Sequence, residues 1–251
     1  MHISVIASIS EHLGVAFGTT LFSQPVKPLR AGLQGFEEML LRVRDARGEW
    51  RSPQEFLAQV DNHQFSWLVD RDVIISTLKY LRAHPEKICS VNVSAQSLNK
   101  GSNLANFLVE MLTKEGVAPD RLIVEISENA LLDSGSNGER LFHQLREDVG
   151  VGIAFDDFGT RALNFKDLRL SPDFLKIDID YVKQAVYDHR PKSIVAALIE
   201  LARTHSTKDH RIRTVAEGVE TEEVYDLIVR MGCDYAQGWC HRLGVATPIE
   251  L

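Results

Sequence analysis

The chain alternates short apolar runs with longer segments in which apolar residues recur every three or four positions. The short runs are typical of buried strands, and the longer segments are typical of amphipathic helices. We predict helices over 104–114, 139–148, 193–204 and 222–231, and a capped helix start at Ser52-Pro53-Gln54-Glu55. We predict strands near 16–26, 36–43, 88–94, 122–128, 152–158, 174–179, 213–219 and 235–240.

The order of these elements predicts the fold class. A strand followed by a helix and then another strand is typical of a parallel sheet with crossover helices. Eight such strands in a chain of this length predict an α/β fold, a TIM-like (β/α)8 barrel. We expect one domain over residues 1–251, because no repeat or linker marks a boundary. An open, doubly wound sheet is the structural alternative.

The composition of the chain favours a soluble globular protein over a membrane or nucleic-acid-binding protein. Apolar residues make up 44% and charged residues 25%, which are ordinary values for a soluble globular domain. No apolar run approaches the length of a membrane span, so we expect a cytoplasmic location and no membrane segment. The net charge of -7 argues against a nucleic-acid polymer as partner. The three cysteines, Cys89, Cys233 and Cys240, lack CxxC spacing and are interpreted as small core residues.

Polar residues in the predicted strands follow a period of two. Asn92 and Ser94 share one parity, and the same holds for Glu125 with Ser127. Most lie at the carboxyl ends of their strands, which meet at one mouth of a barrel. The polar residues with potential chemistry that we expect at this mouth are Glu38, Asn92, Glu125, Asp156, Asp157, Lys176, Asp178, Glu217 and Gln237.

Five carboxylates would face a single lysine, Lys176, if they share this mouth: those of Glu38, Glu125, Asp156, Asp157 and Glu217. Such crowding is costly unless cations neutralise the charge or protons are taken up. Carboxylate and amide oxygens without nearby Cys or His suit Mg²⁺ or Mn²⁺. Two such ions about 4 Å apart suit in-line attack on a phosphodiester. Any one carboxylate could equally cap a helix or pair with an arginine, so the prediction rests on their recurrence at equivalent ends.

An ordered series of motifs resembles the EAL domain family, which hydrolyses the bacterial second messenger cyclic di-GMP. The resemblance covers residues 20–240 and implies a TIM-like barrel, cyclic di-GMP as ligand, linear pGpG as product and two Mg²⁺ or Mn²⁺ ions. The motifs are Gln24-Pro25-Val26, Glu38-Met39-Leu40-Leu41-Arg42, Ser52-Pro53-Gln54-Glu55-Phe56, Val91-Asn92-Val93-Ser94, Glu125-Ile126-Ser127-Glu128, Asp156-Asp157-Phe158-Gly159-Thr160, Lys176-Ile177-Asp178, Ala216-Glu217-Gly218-Val219-Glu220 and Gln237-Gly238-Trp239.

The resemblance also implies roles, position by position. The metal ligands would be Glu38, Asn92, Glu125, Asp156, Asp157 and Glu217. Lys176 would orient the attacking water, with Asp157 and Glu217 as further catalytic residues. Arg42 would contact the phosphates of the substrate, Asp178 would add to the network of the second metal and its water, and Gln237 would complete the mouth. Glu128 and Glu220 would contact the residues that bind metal or substrate. Glu128 would anchor the loop after the strand at 152–158. A homodimer, and a regulatory domain or protein partner, are further implications.

One loop departs from the family pattern. After the paired aspartates the family continues Phe-Gly-Thr-Gly-Tyr-Ser-Ser, whereas here Phe158-Gly159-Thr160 is followed by Arg161-Ala162-Leu163-Asn164. The stretch from there to Lys176 is also one residue shorter than in the family. An arginine where the backbone needs a positive φ costs about 1 kcal/mol. The stretch Cys240-His241-Arg242-Leu243-Gly244 also replaces the family's Phe-Ser-x-Pro.

Three functions therefore remain open. The first is an active metal-dependent phosphodiesterase. The second is a non-catalytic cyclic di-GMP receptor or protein-interaction module, in which loop 160–165 has abolished turnover. The third is a barrel aldolase with Lys176 as the Schiff-base lysine, which would leave the five carboxylates unexplained.

Overall fold

A computed structural model describes residues 18–45, 47–53, 64–98, 103–159 and 170–250. The strands are β1 Thr19–Pro28, β2 Phe36–Arg44, β3 Trp50–Arg51, β4 Cys89–Val93, β5 Leu122–Ser127, β6 Gly152–Phe158, β7 Phe174–Ile177, β8 Arg213–Ala216, β9 Tyr235–Ala236 and β10 Thr247–Pro248. The helices are α1 Gln64–Ala83, α2 Leu104–Glu115, α3 Glu128–Ser134, α4 Ser136–His143, α5 Ile179–Gln184, α6 His189–His205 and α7 Glu222–Met231. A 3-10 helix spans Pro119–Arg121 and a π-helical turn spans Gln144–Val149.

The sheet closes on itself because β1 pairs with both β2 and β9. Strands β2 and β4 to β9 run parallel to one another in chain order, and β3 and β10 extend the sheet at its edges. The closed barrel confirms the TIM-like prediction and excludes the open sheet. It differs from the fully parallel pattern in one respect: β1 is antiparallel to both neighbours. A short turn therefore joins β1 to β2, since only parallel neighbours need a crossover helix.

The helix predictions agree with the structure to within a few residues. The patterns at 104–114 and 222–231 correspond to α2 and α7, and α7 is capped by Thr221, whose side chain accepts a hydrogen bond from Val224 N. The pattern at 139–148 is α4 continued by the π-helical turn. Helix α6 begins four residues before the predicted 193, because the side chain of Asp188 caps it there. Pro53 is helical, and Gln54 and Glu55 lie outside the described residues.

Strands β8 and β9 end earlier than predicted. Glu217 and Gln237 each follow the last residue of their strand rather than lying within it. Gly238 explains the break after β9: a Cβ there would lie 2.1 Å from Val219 O, so only glycine allows the two segments to approach so closely. Both polar side chains consequently lie at the rim of the barrel.

The interior of the barrel is apolar at the end opposite that rim. Phe36, Phe174 and Tyr235 close it, with ring centroids 4.9 to 5.9 Å apart. All three cysteines are buried. No helix in the described part of the chain is both long and apolar enough to cross a membrane. Polar groups that enter the barrel therefore collect at the carboxyl ends of its strands.

Candidate active site

The mouth of the barrel holds an open cavity of about 710 Å³. It lies at the carboxyl ends of β4, β5 and β6, which is the end where barrels of this class carry their chemistry. The charged and amide side chains on its wall are Glu38, Arg42, Asp70, Asn92, Asp156 and Asp157.

Lys176 lies at the centre of the site and is almost fully buried. Its Nζ atom is 2.5 Å from Glu125 Oε2, 2.9 Å from Glu217 Oε1 and 3.0 Å from Asp156 Oδ1. Glu38 Oε2 is 3.5 Å away. Four carboxylates from four different strands or strand ends therefore converge on one ammonium group.

Glu38 is held from both sides by amides. Asn92 Nδ2 donates to Glu38 Oε1 at 2.7 Å, and Gln237 Nε2 donates to Glu38 Oε2 at 2.6 Å. Glu38 is near the start of β2 and not at its carboxyl end. Strand β2 pairs with β4 only at Glu37 to Met39, and the rest of β2 extends beyond this pairing. Glu38 therefore lies beside β4, although it is only the third residue of its own strand.

Asp156 and Asp157 would point to opposite faces of a regular strand. Between Phe155 and Phe158, however, β6 advances three residues while β7 advances two, so β6 contains a bulge. Asp157 lies there with a φ of 54°. One carboxylate oxygen each from Asp156, Asp157 and Glu217 consequently lies within 4.8 Å of the other two.

Burial and mutual repulsion set the charge state of the cluster. Burial raises the pKa of Glu125 to about 8, with Glu38 and Asp156 acting in the same direction and Lys176 opposing them. Burial also raises the pKa of Glu217 well above its usual value. Burial alone would lower the pKa of Lys176, but the surrounding carboxylates raise it well above that of a free lysine. The lysine is therefore protonated, and Glu125 and Glu217 hold protons that exposed carboxylates would have lost.

This donor set fits hard divalent cations. Glu125 Oε1 and Gln237 Oε1 are buried, yet neither accepts a hydrogen bond from any described residue. Every ligand candidate at the mouth offers oxygen, which matches the preference of Mg²⁺ and Mn²⁺. Buried oxygens without a donor are costly, and a bound cation would satisfy them and take the place of the retained protons.

Comparison with known proteins agrees with this geometry. The EAL domain family profile matches residues 18–242. The chain belongs to the EAL domain family. It is 30% identical over 227 residues to the probable cyclic di-GMP phosphodiesterase PdeA of Escherichia coli, covering 87% of this chain and 29% of that protein. It is also 30% identical to the cyclic di-GMP phosphodiesterase PdeF of Escherichia coli over 237 residues, covering 91% and 30%. The chain thus spans less than a third of the length of either relative.

Solved EAL structures superpose closely on this chain. The c-di-GMP complex of the PaMucR phosphodiesterase has a TM-score of 0.83 at 26% identity, covering 97% of this chain and 96% of that one. The FimX EAL domain from Pseudomonas aeruginosa bound to c-di-GMP has a TM-score of 0.82 at 25% identity, with the same coverage.

The remaining predicted residues of this EAL domain lie around the central cluster. Arg42 is half-buried on the cavity wall, and its Nη1 donates to Leu41 O at 2.9 Å. Asp178 is buried and caps α5, accepting from Asp180 N at 2.9 Å. Glu220 is partly exposed and forms an ion pair with Lys183 at 2.8 Å, away from the lysine at the centre.

Glu128 contacts the end of β6. Its Oε2 accepts from Gly159 N at 3.1 Å, and Tyr181 OH donates to Gly159 O at 2.8 Å. Gly159 is thus held on both sides, two residues after Asp157. The altered loop 160–165 follows directly and lies outside the described residues.

Asp70 on α1 is the supporting residue that sequence reasoning missed. Its Oδ2 accepts from Ser94 N at 2.8 Å, Ser94 Oγ at 2.6 Å and Ser97 Oγ at 2.5 Å. Burial raises the pKa of Asp70. The contacts order the segment after β4, next to Asn92. An acidic residue between Val69 and Val73 on the core-facing side of a helix is the signal that could have identified it.

Proposed function

We propose that this EAL domain hydrolyses cyclic di-GMP to linear pGpG with two Mg²⁺ or Mn²⁺ ions at the barrel mouth. The observation that carries the proposal is the convergence of Glu38, Glu125, Asp156 and Glu217 on Lys176. The similar proteins named as cyclic di-GMP phosphodiesterases, and the c-di-GMP complexes among similar structures, support the choice of substrate.

Two groups of residues would hold the cations. The first is Glu38, Asn92, Glu125 and Asp156, and the second is Asp156, Asp157 and Glu217, with Asp156 shared. Bound divalent cations supply Lewis-acid stabilisation of the charge that builds on the phosphoryl oxygens, and they favour a deprotonated water as nucleophile.

The protein's own groups orient the reaction. Protonated Lys176 is a hydrogen-bond donor, and we assign it the orientation of the attacking water. Asn92 and Gln237 fix the carboxylate of Glu38 from both sides, which reduces the reorganisation needed during the reaction. Arg42 on the cavity wall offers a cation to a phosphate of the substrate.

The barrel-aldolase hypothesis fits the site less well. A Schiff-base lysine must attack as a neutral amine, so its pKa has to be depressed. The carboxylates around Lys176 act in the opposite direction and raise its pKa. They would also have no role in that chemistry.

The deciding experiment incubates purified protein with cyclic di-GMP and Mn²⁺ and follows pGpG by chromatography, with excess EDTA as the control. We expect pGpG with Mn²⁺ and none with EDTA. Full turnover in EDTA would exclude the two-cation mechanism. Calorimetric binding of cyclic di-GMP without product would instead favour the receptor function.

We also propose that the domain forms a homodimer, takes input from a regulatory domain or protein partner, and acts in the cytoplasm. Light scattering after size exclusion tests the dimer: a monomer mass at micromolar concentration, with and without ligand, would contradict it.

A further inference from the structure

A second group of side chains with potential metal-ligand atoms lies at the rim of the barrel, apart from the carboxylates around Lys176. Glu222 begins α7, whereas Cys240 and His241 lie in the segment after β9. One ligand atom from each of the three lies within 4.8 Å of the other two. Cys240 Sγ and His241 Nδ1 are each 2.8 Å from Glu222 Oε1.

These donors differ in chemistry from those at the barrel mouth. A thiolate, an imidazole and a carboxylate suit borderline cations such as Zn²⁺ and Co²⁺, whereas all-oxygen sets suit Mg²⁺ and Mn²⁺. We propose that Glu222, Cys240 and His241 form a binding site for a zinc-class cation, with a fourth position open to water.

The geometry requires only small adjustments. Zinc bonds of about 2.0 to 2.3 Å in a tetrahedral site separate neighbouring donors by roughly 3.3 to 3.7 Å. Each 2.8 Å contact would therefore lengthen by less than about 1 Å. Cys240 is the fixed donor, because its side chain is buried and its backbone N–H donates to Val219 O at 3.0 Å. The side chain of His241 is 78% exposed, so it is able to rotate into place.

The charges around the site also match a dication. A thiolate and a carboxylate together balance Zn²⁺ while the histidine stays neutral. Arg242 Nε binds the other carboxylate oxygen, Glu222 Oε2, at 2.6 Å, and this leaves Oε1 directed at the thiol and the imidazole. Such an outer contact fixes the orientation of a ligating carboxylate. Burial raises the pKa of the Cys240 thiol, and its hydrogen bond to Glu222 acts in the same direction. A bound cation would displace that proton.

The interpretation of Cys240 as a core residue is therefore incomplete. Sequence spacing could not indicate this site, because the two ligands on one segment are adjacent and the third comes from a helix 18 residues earlier. Cys233 differs: its Sγ lies 3.2 Å from Thr214 Oγ1 and 3.3 Å from Tyr235 O inside the core. It provides a natural control thiol.

Occupancy would connect two segments at the rim. Glu222 follows the loop from β8 to α7, which includes Glu217, and Cys240 already contacts that loop through Val219. A cation held between Glu222, Cys240 and His241 would restrain this loop relative to the segment after β9. The site is thus a candidate point of control by zinc-class ions.

Titration with Co²⁺ tests the site, because a thiolate ligand adds a charge-transfer band in the near ultraviolet and oxygen ligands do not. We expect the band in the parent protein and in the controls Cys233→Ala and His205→Ala, and its loss on adding one equivalent of Zn²⁺. Cys240→Ala should remove the band, and His241→Ala should weaken Co²⁺ binding at least about tenfold.

Two results would overturn the proposal. The first is a folded parent protein, checked by circular dichroism, that shows no thiolate band at millimolar Co²⁺. The second is a band of equal affinity in His241→Ala, which would mean binding by one thiol only. Because His241 is exposed, this variant keeps the test decisive even if Cys240→Ala does not fold.

Discussion

Lys176 Nζ and Glu125 Oε2 lie 2.5 Å apart, and both side chains are buried. This ammonium group has further carboxylate neighbours, because Asp156 and Glu217 also lie within 3.0 Å of it. The lysine therefore neutralises one carboxylate of several. Burial and the nearby Glu38 raise the pKa of Glu125 to about 8, so the metal-free site retains protons that an exposed carboxylate would have lost.

This charge balance predicts how stability depends on pH without metal. The pKa of Glu125 is near its usual 4.5 in the unfolded chain and about 8 in the folded protein. The folded state therefore binds more protons between these values, and the free energy of unfolding falls as pH rises through this range. Thermal melts in EDTA should show this fall, and Glu125→Gln should make it shallower. An identical pH slope in the variant and its parent would contradict the raised pKa.

Asp156→Asn tests the proposed role of Asp156 as a ligand shared by two cations. The amide keeps the size of the side chain but weakens its binding of a cation, so turnover of cyclic di-GMP should drop by at least about a hundredfold in Mn²⁺. Glu200→Gln is the matched control, since Glu200 forms an exposed ion pair with Arg203 and contributes little to stability or to the site. A rate for Asp156→Asn within tenfold of the parent would remove this residue from the proposed metal centre.

Lys176→Gln should separate binding from turnover. Arg42 and other groups on the cavity wall would still contact the ligand, whereas the donor that we propose orients the attacking water would be lost. We expect a fall in turnover of about 10²- to 10³-fold and a dissociation constant, by calorimetry in Ca²⁺ or Mn²⁺, within about threefold of the parent. Lys183→Gln, which removes an exposed lysine paired with Glu220, is the control. Unchanged turnover would identify Lys176 as a structural ion-pair residue.

The mouth of the barrel was predictable because parallel strands end at one edge. The polar parity of Asn92 and Glu125 is visible in the sequence, and parallel pairing places these two residues opposite each other. The contacts between Glu38, Asn92 and Gln237 then follow from closure of the sheet. Alternation of polar and apolar residues indicates which face of a strand each side chain is on. It is therefore sufficient to predict that Asn92 and Glu125 lie together at the mouth.

The same patterns carry no information about strand direction or about partners on other elements. The reversal of β1 could not be predicted, because alternation looks the same in either direction. An aspartate directly after a strand, such as Asp178, can join a metal-binding network or cap the next helix. In the structure Asp178 caps α5 by accepting a hydrogen bond from Asp180 N. Asp70 was missed because its partners, Ser94 and Ser97, are more than 20 residues away on another segment.

The altered loop gives a prediction from sequence. Replacing Arg161-Ala162 with Gly-Tyr-Ser restores the family's glycine and the missing residue in a segment outside the described residues. If this loop misplaces Asp157, turnover should rise about tenfold, which corresponds to about 1.4 kcal/mol, while affinity for cyclic di-GMP changes little. Replacement by three alanines restores length without the glycine and is the control. A graft that is no faster, at an unchanged melting temperature, would show that the loop does not limit catalysis.

Glu128 is predicted to act as a positioning residue through Gly159. Its carboxylate accepts the Gly159 N–H at 3.1 Å, and Tyr181 holds the carbonyl of the same residue, so the backbone just after Asp157 is fixed from two sides. Glu128→Ala leaves that N–H without its acceptor, and we expect a 10- to 100-fold fall in turnover together with a higher Mn²⁺ concentration for half-maximal activity. Glu128→Gln keeps an amide oxygen in the same place and should recover most of both losses.

Combining Glu128→Ala with Tyr181→Phe tests the shared target. Since both contacts act on Gly159, the double variant should lose less than the product of the single losses. A purely structural role for Glu128 would instead lower the melting temperature of the alanine and glutamine variants alike and leave the Mn²⁺ requirement unchanged. That result would mean that the position of Asp157 is set by the β6 bulge itself and not by the contacts on Gly159.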